Sequence, residues 1–149
     1  MKIHVVLAML LAGLCGCARQ DSVVVTVAGK SHVELRGVDG ACVHQAVLKE
    51  LATYDWNVNS SSASQIVAQR VAPPWINTTV LSVAFETPQV RMTLTIVPAG
   101  PDVKVLIEPD LITNPGSLNE RVQPIPVTAR MNTVFDDSAR RVEQACKAR

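Results

Sequence analysis

The strongest constraint on the fold is the alternation of apolar and polar residues in the middle of the chain. Residues 81–86, 90–96 and 103–108 each follow a period of two. This period is typical of strands that bury one side and expose the other. Residues 87–89 and 98–101 contain proline and separate these segments as turns. The pattern therefore predicts an antiparallel meander with one buried face.

Strands are also predicted before the meander. The β-branched run at 22–27 is followed by a turn and by alternation at 33–36, which indicates a hairpin or two short strands. Residues 65–72 have the composition of a strand that ends at Pro73. The polar stretch 55–64 between these segments is predicted to be a loop.

Two amphipathic helices are predicted, one on each side of the meander. The first covers residues 40–54, because Asp39 is a good N-cap and apolar residues follow it at helical spacing. Several prolines after Glu108 predict a long loop before the second helix. That helix is indicated by one apolar stripe, which consists of Val127, Met131, Val134, Phe135, Val142 and Cys146.

The order of strands and helices predicts the fold class. It gives an α+β domain, with an antiparallel sheet and two helices packed on one of its faces. The chain has 149 residues, and a chain of this length buries about two thirds of its unfolded surface in one core. One domain is therefore sufficient.

The N-terminus has the layout of a secretory signal. Lys2 and His4 precede an apolar run at 5–14. Ten helical residues extend about 15 Å, roughly half the thickness that a membrane-spanning helix must cross. We therefore expect a signal peptide and not a transmembrane helix.

Leu14-Cys15-Gly16-Cys17 resembles the lipobox of bacterial lipoproteins. The resemblance implies cleavage before Cys17, a diacylglyceryl group on its thiol and acylation of the new amino terminus. Several acyl chains anchor a protein stably, whereas a single chain is marginal. The alternative is an ordinary cleaved signal peptide that leaves Cys17 as a free thiol.

The expected organisation is a signal peptide at 1–16, a lipidated tether at 17–22 and a single periplasmic α+β domain at 23–149. In the similar enteric lipoproteins, the residue after the lipidated cysteine influences sorting, and aspartate there favours the inner membrane. This chain has Ala18. We therefore expect attachment to the outer membrane on its periplasmic side, with the membrane bound through the lipid anchor.

Cysteine usage then predicts a disulfide. Cys15 leaves with the signal and Cys17 carries lipid, so Cys42 and Cys146 remain of the four cysteines. Export places this pair in an oxidising compartment, where such pairs are commonly bridged. Antiparallel helices would bring the two residues together. The alternative is two separate buried thiols, and two thiols so far apart in the sequence make a poor metal site.

The predicted arrangement is similar to the helix-grip type of small bacterial lipoproteins. The chain also resembles uncharacterised proteobacterial lipoproteins that combine a lipobox, a helix ending in an aromatic turn, a strand meander and an Asn-Pro-Gly-Ser segment. The matching pieces here are Cys17, residues 54–56, the strands through Ile107, and residues 114–117 with Glu120 and Arg121. This resemblance implies no particular activity.

Charge and motifs do not favour nucleic-acid binding or catalysis. Removal of residues 1–16 lowers the Lys and Arg count from 14 by one to 13, against 13 acidic residues. Neither a basic face nor a clustered basic segment is evident. The sequence has no Gly-x-Ser-x-Gly elbow, phosphate-binding glycine loop or metal-ligand spacing. We expect neither enzyme activity nor a cofactor.

Two features are candidate binding residues. Asn114, Glu120 and Arg121 belong to a long loop, and such loops often carry recognition sites; the alternative is a turn that only links sheet to helix. Trp56 and Trp75 flank a polar segment and could form an aromatic contact surface, although they could equally close the core.

Two functions remain open at this point. The leading hypothesis is a non-catalytic protein-binding or envelope-assembly module with an envelope protein as partner. It follows from the anchor, the compact domain and the lack of a catalytic pattern. The alternative is a carrier of a small hydrophobic ligand in a groove between helix and sheet, which the many Val, Leu and Ile side chains favour.

Overall fold

The computed structural model describes residues 31–74, 76 and 87–148. Cys17, Trp75 and the predicted strands at 22–27 and 81–86 lie outside this part of the chain. The described elements, in chain order, are β1 (Ser31–Leu35), α1 (Gly40–Thr53), β2 (Asn57–Ser62), β3 (Gln65–Val71), β4 (Gln89–Ala99), β5 (Asp102–Thr113), β6 (Arg121–Pro124) and α2 (Ala129–Lys147).

The described strands form one antiparallel sheet in the order β1-β5-β4-β3-β2, and β6 also pairs with β5. Helix α1 packs against β4 and β2, while α2 packs against β1 and α1. The predicted α+β fold, with an antiparallel meander and two helices on it, is confirmed.

The alternation in the sequence marks the two faces of the sheet correctly. In β4 and in β5 through Pro109, every second residue is buried and the residues between are half-buried, up to the exposed end of β4. The side chains on the inner face form the sheet's part of the main core: Leu35, Ile66, Ala68, Met92, Leu94, Ile96, Val103, Val105 and Ile107. Full burial of one large aliphatic side chain contributes about 1.5–3 kcal/mol, so this face supplies much of the folding free energy.

The outer face of the sheet is more polar. Lys104 on β5 lies 3.5 Å from Glu34 on β1, and Arg91 on β4 stands opposite Asp110 on β5. Burial raises the pKa of the Asp110 carboxyl, whereas the charge of Arg91 lowers it. Polar cross-strand pairs of this kind suit a solvent-facing surface.

The predicted loop at 55–64 is wrong, because β2 occupies Asn57–Ser62. All six of its side chains are exposed, and it pairs only with β3 among the described strands. An exposed edge strand buries neither face, so its sequence need not alternate. The register shifts between Val58 and Ser60, and such a bulge hinders further pairing at an edge.

The loop predicted after Glu108 is also wrong at its start, because β5 continues through Pro109 to Thr113. Proline cannot donate a backbone hydrogen bond to a sheet. The Pro109 carbonyl accepts from Ile125 N–H at 2.9 Å, so this backbone edge faces the β1 and β6 side. On that side of β5, the pairing with β1 ends at Ile107 and the pairing with β6 begins at Asp110. The N–H that Pro109 lacks would therefore point into the gap between β1 and β6, where neither strand pairs with it.

Strand β6, Arg121–Pro124, is a further departure from the predicted loop. All four residues are exposed, and they pair with residues 110–113 of β5. Proline is tolerated on such an edge strand, because the edge away from the partner needs no donor.

Both predicted helices are present. Asp39 caps α1 by accepting from Cys42 N–H at 2.9 Å, and Thr128 caps α2 by accepting from Met131 N–H at 3.3 Å. Helix α2 buries Met131, Phe135 and Val142, but Val134 of the predicted stripe is 51% exposed. Among the described residues, no helix combines the length and hydropathy that crossing a bilayer requires.

The predicted disulfide between Cys42 and Cys146 is present in the structure, with a Cα–Cα distance of 5.8 Å. It joins the first turn of α1 to the last turn of α2. Nearby, Glu143 of α2 accepts from the N–H of Arg36 at 3.2 Å and pairs with Lys147. These two bonds lower the pKa of the Glu143 carboxyl, with that from Lys147 the larger cause. The end of α2 is thus fixed to both α1 and the segment after β1.

Candidate functional site

A cavity of about 430 Å³ lies between the inner face of the sheet and the two helices. Its sheet side consists mainly of aliphatic side chains: Val33, Leu35, Val90, Met92, Leu94, Val105 and Ile107. Its helix side includes Val47, Leu51, Met131, Phe135 and Val142. The volume is within the range of about 300–1,000 Å³ that is typical of small-molecule sites.

The cavity reaches the protein surface at a rim. Tyr54 and Val134 both line it, and they are 46% and 51% exposed. Tyr54 follows the last residue of α1, whereas Val134 is on α2. The opening therefore lies between the end of α1 and the second turn of α2.

The end of α1 positions the aromatic side of this rim. Asp55 has a left-handed backbone with φ 57°, which is unusual for a residue with a side chain. It lets the chain reverse, and the N–H of Trp56 then donates to the carbonyl of Leu51 at 3.0 Å. Trp56, a predicted binding residue, is half-buried, lines the cavity and packs against the core. It therefore helps to close the core, one of the two roles that its sequence left open, and it also borders the cavity.

Arg70 provides the cation of this rim. It lies on the same face of β3 as the buried Ile66 and Ala68, because side chains two apart share a face. Its guanidinium lies 5.5 Å from the centroid of the Trp56 ring and donates to the carbonyl of Tyr54 at 3.1 Å. No carboxylate of the described residues forms an ion pair with it.

The other charged groups of the rim are neutralised. Arg141 lies 2.5 Å from Glu50 and over the Tyr54 ring, and the hydrogen bond to Glu50 raises the pKa of this guanidinium. Asp137 pairs with Arg140, which does not line the cavity. Among the described residues, Arg70 is therefore the rim cation without an anionic partner.

The loop that contains the other predicted binding residues lies outside the cavity lining. Its backbone is held by its own side chains: Glu120 accepts from Gly116 N–H at 2.7 Å, and Ser117 donates to the carbonyl of Asn114 at 2.9 Å. Asn114 and Gly116 have φ of 52° and 75°. Arg121 follows as the first residue of β6. Glu120 thus shapes the loop.

Leu118 is the residue of this loop that the sequence analysis missed. It is fully exposed, at the tip of a loop with fixed backbone geometry. Val122 of β6 is also exposed, at 45%. A leucine within a Pro-Gly-Ser-Leu-Asn turn was the available signal, since turn tips usually carry polar residues.

A second depression of about 630 Å³ lies between the start of α1 and the turn after β2. It is lined mainly by exposed or small side chains and is more open than the cavity between the sheet and the helices. His44 Nε2 and Ser61 Oγ lie 2.8 Å apart there. Within the described part of the chain no carboxylate orients this histidine, so the pair lacks the third member of a catalytic triad.

Neither of two comparisons relates the chain to known proteins: no protein-family model matches it, and no curated protein is significantly similar. The described residues contain no group of three or more His, Cys, Asp or Glu side chains arranged to hold a metal ion.

Proposed function

We propose that the protein is a lipid-anchored envelope protein that binds a small apolar ligand in the cavity between its helices and its sheet. The observation that carries this proposal is the cavity itself, because the walls that surround it are aliphatic and aromatic. The N-terminal signal and Cys17 support the anchor, and Ala18 supports the outer membrane, periplasmic side, as its location.

The energetics of the cavity favour a ligand. A sealed empty space of this size would cost about 10 kcal/mol at roughly 24 cal/mol per Å³, which is comparable with the whole stability of a domain. The opening beside Tyr54 and Val134 instead admits water to an apolar wall. A hydrophobic ligand would remove that wall from water, which is the main source of affinity in such sites.

Native mass spectrometry of the full chain extracted from membranes tests this proposal. We expect a fraction of the protein to carry a bound small molecule, and the neutral fluorescent probe N-phenylnaphthylamine to bind the chain after lipid is stripped from it. Ligand-free protein that also fails to bind the probe would contradict the proposal.

Ala139→Leu is the variant that fills the cavity. Ala139 lines the cavity from α2, so the larger side chain should lower probe affinity about tenfold while raising stability by about 0.5–2 kcal/mol, as cavity filling commonly does. Fluorescence titration and urea denaturation measure the two effects. Ala52→Leu is the matched control, because Ala52 is exposed on α1 and does not line the cavity. Unchanged probe affinity with lowered stability would indicate a packed core and refute the site.

The loop tip supports a second candidate function, a protein-binding or envelope-assembly module. A partner that covered the fully exposed Leu118 side chain would remove its apolar surface from water, which favours binding. Leu118 and Val122 flank Glu120 and Arg121, which the sequence analysis selected.

Site-specific photo-crosslinking tests this second function. A photoreactive residue in place of the exposed Gln123 should give one discrete adduct with an envelope protein. Leu118→Ser should lower its yield about tenfold, the effect of losing an interface anchor of about 1–2 kcal/mol, while Leu118→Met should retain it. No adduct, or an equal yield from both variants, would contradict a protein partner at this loop.

A further inference from the structure

We propose that the ligand of the cavity is a single-chain amphiphile whose anionic headgroup, a carboxylate or a phosphate, binds the guanidinium of Arg70. This inference rests on the proposed function, because it names the class of ligand for the same cavity. Three observations carry it: the charge balance of the rim, the placement of Arg70 and the volume of the cavity.

The charge balance selects an anionic headgroup. Glu50 and Arg141 neutralise each other, as do Asp137 and Arg140. Arg70 has no anionic partner among the described residues, although it is half-buried beside an apolar cavity. A partly desolvated cation is stabilised by an anion, so the rim offers a partner to a negative ligand group.

The placement of Arg70 leaves donors for such a group. A guanidinium has five N–H donors in a planar fork that fits carboxylate and phosphate oxygens. In the described part of the chain, Arg70 uses one hydrogen bond, to the carbonyl of Tyr54, and its guanidinium carbon lies 5.5 Å from the centroid of the Trp56 ring. These two contacts orient the fork, so little further ordering is needed when a headgroup binds.

The volume of the cavity favours a ligand with a single hydrocarbon tail. About 430 Å³ lies toward the small end of ligand sites, which suits one hydrocarbon chain better than the paired chains of a diacyl phospholipid. The apolar walls continue from Arg70 on β3 to Val105 and Ile107 on β5. A chain whose head is at Arg70 could therefore lie across the inner face of the sheet.

Displacement of N-phenylnaphthylamine from the delipidated full chain tests this inference. Laurate, dodecyl phosphate and dodecanol have the same tail and differ in the head. At neutral pH we expect laurate or dodecyl phosphate to displace the probe at about tenfold lower concentration than dodecanol, and added salt to reduce that advantage. The stronger of the two anions identifies the headgroup.

Arg70→Gln should remove the preference for anions, so that laurate, dodecyl phosphate and dodecanol displace the probe at similar concentrations. Arg36→Gln is the matched control, because Arg36 is exposed and does not line the cavity, and it should keep the preference. If Arg70→Gln no longer binds the probe, Arg70→Lys is the deciding variant. Its ammonium must retain part of the preference for anions over dodecanol.

The outcomes separate the two proposals. No binding of the probe or of any of the three ligands would overturn the proposed function. Probe binding with equal displacement by dodecanol and the anions would overturn only the anionic headgroup. A preference that persists unchanged in Arg70→Gln, or is absent in Arg70→Lys, would overturn the role of Arg70.

Discussion

Replacing both Cys42 and Cys146 with alanine is expected to lower the free energy of unfolding by about 4 kcal/mol. The bridge spans 104 residues, and in the chain-entropy model a loop of this length contributes up to about 4.7 kcal/mol, mainly by restricting the unfolded chain. Domains of this size are stable by about 5–15 kcal/mol. The variant should therefore be only marginally folded, and urea denaturation followed by circular dichroism measures the loss.

The single variants are the control for this prediction. Cys42→Ala alone already breaks the bridge, so adding Cys146→Ala should change stability little further. Wild-type protein in reductant should resemble the double variant. If the oxidised and reduced proteins unfold at the same urea concentration, with both thiols open to alkylation, the two cysteines act only as buried apolar residues.

Cys17→Ala is expected to abolish incorporation of radiolabelled palmitate into the chain. The proposed lipid is attached to the thiol of this residue and to the amino terminus that cleavage creates, and several buried acyl chains contribute roughly 0.8 kcal/mol per CH₂. No lipid should be attached when the thiol is missing. Labelling of cells followed by immunoprecipitation gives the measurement.

Cys15→Ala is the matched control, two residues upstream in the same segment. Because Cys15 is expected to leave with the signal peptide, its replacement should preserve the label. Unlabelled wild-type protein with a free Cys17 thiol would establish an ordinary secretory signal instead. Density-gradient separation of the two membranes then tests whether Ala18 directs the protein to the outer membrane.

The proposed lipid anchor and the proposed ligand site would complement each other. A single-chain amphiphile is sparingly soluble in water, so a protein that binds one is most useful close to a bilayer. The disulfide joins the helices that cover the cavity, since α1 and α2 both line it. The anchor would thus place the cavity near its ligand, and the disulfide would hold the two helices that enclose it.

The sequence by itself determined the main strands and helices. In β4 and β5 each inward side chain is two residues from the next, so the local sequence alone predicts which face is buried. The helices α1 and α2 follow equally from apolar spacing, and for α1 also from the cap Asp39. The pairing of Cys42 with Cys146 was predicted by counting, because the expected signal cleavage and the proposed lipidation leave two of the four thiols.

Only the tertiary structure decided the edge strands and the site. Strands β2 and β6 are exposed on both faces, so no apolar periodicity marks them, and their partners β3 and β5 supply the hydrogen bonds that make them strands. The cavity lies where side chains from β1, α1, β4, β5 and α2 leave space between them unfilled. Arg70 looked like an ordinary strand residue. It became the candidate headgroup site because Glu50 neutralises Arg141, whereas no carboxylate among the described residues pairs with Arg70. This balance depends on contacts between residues far apart in the chain.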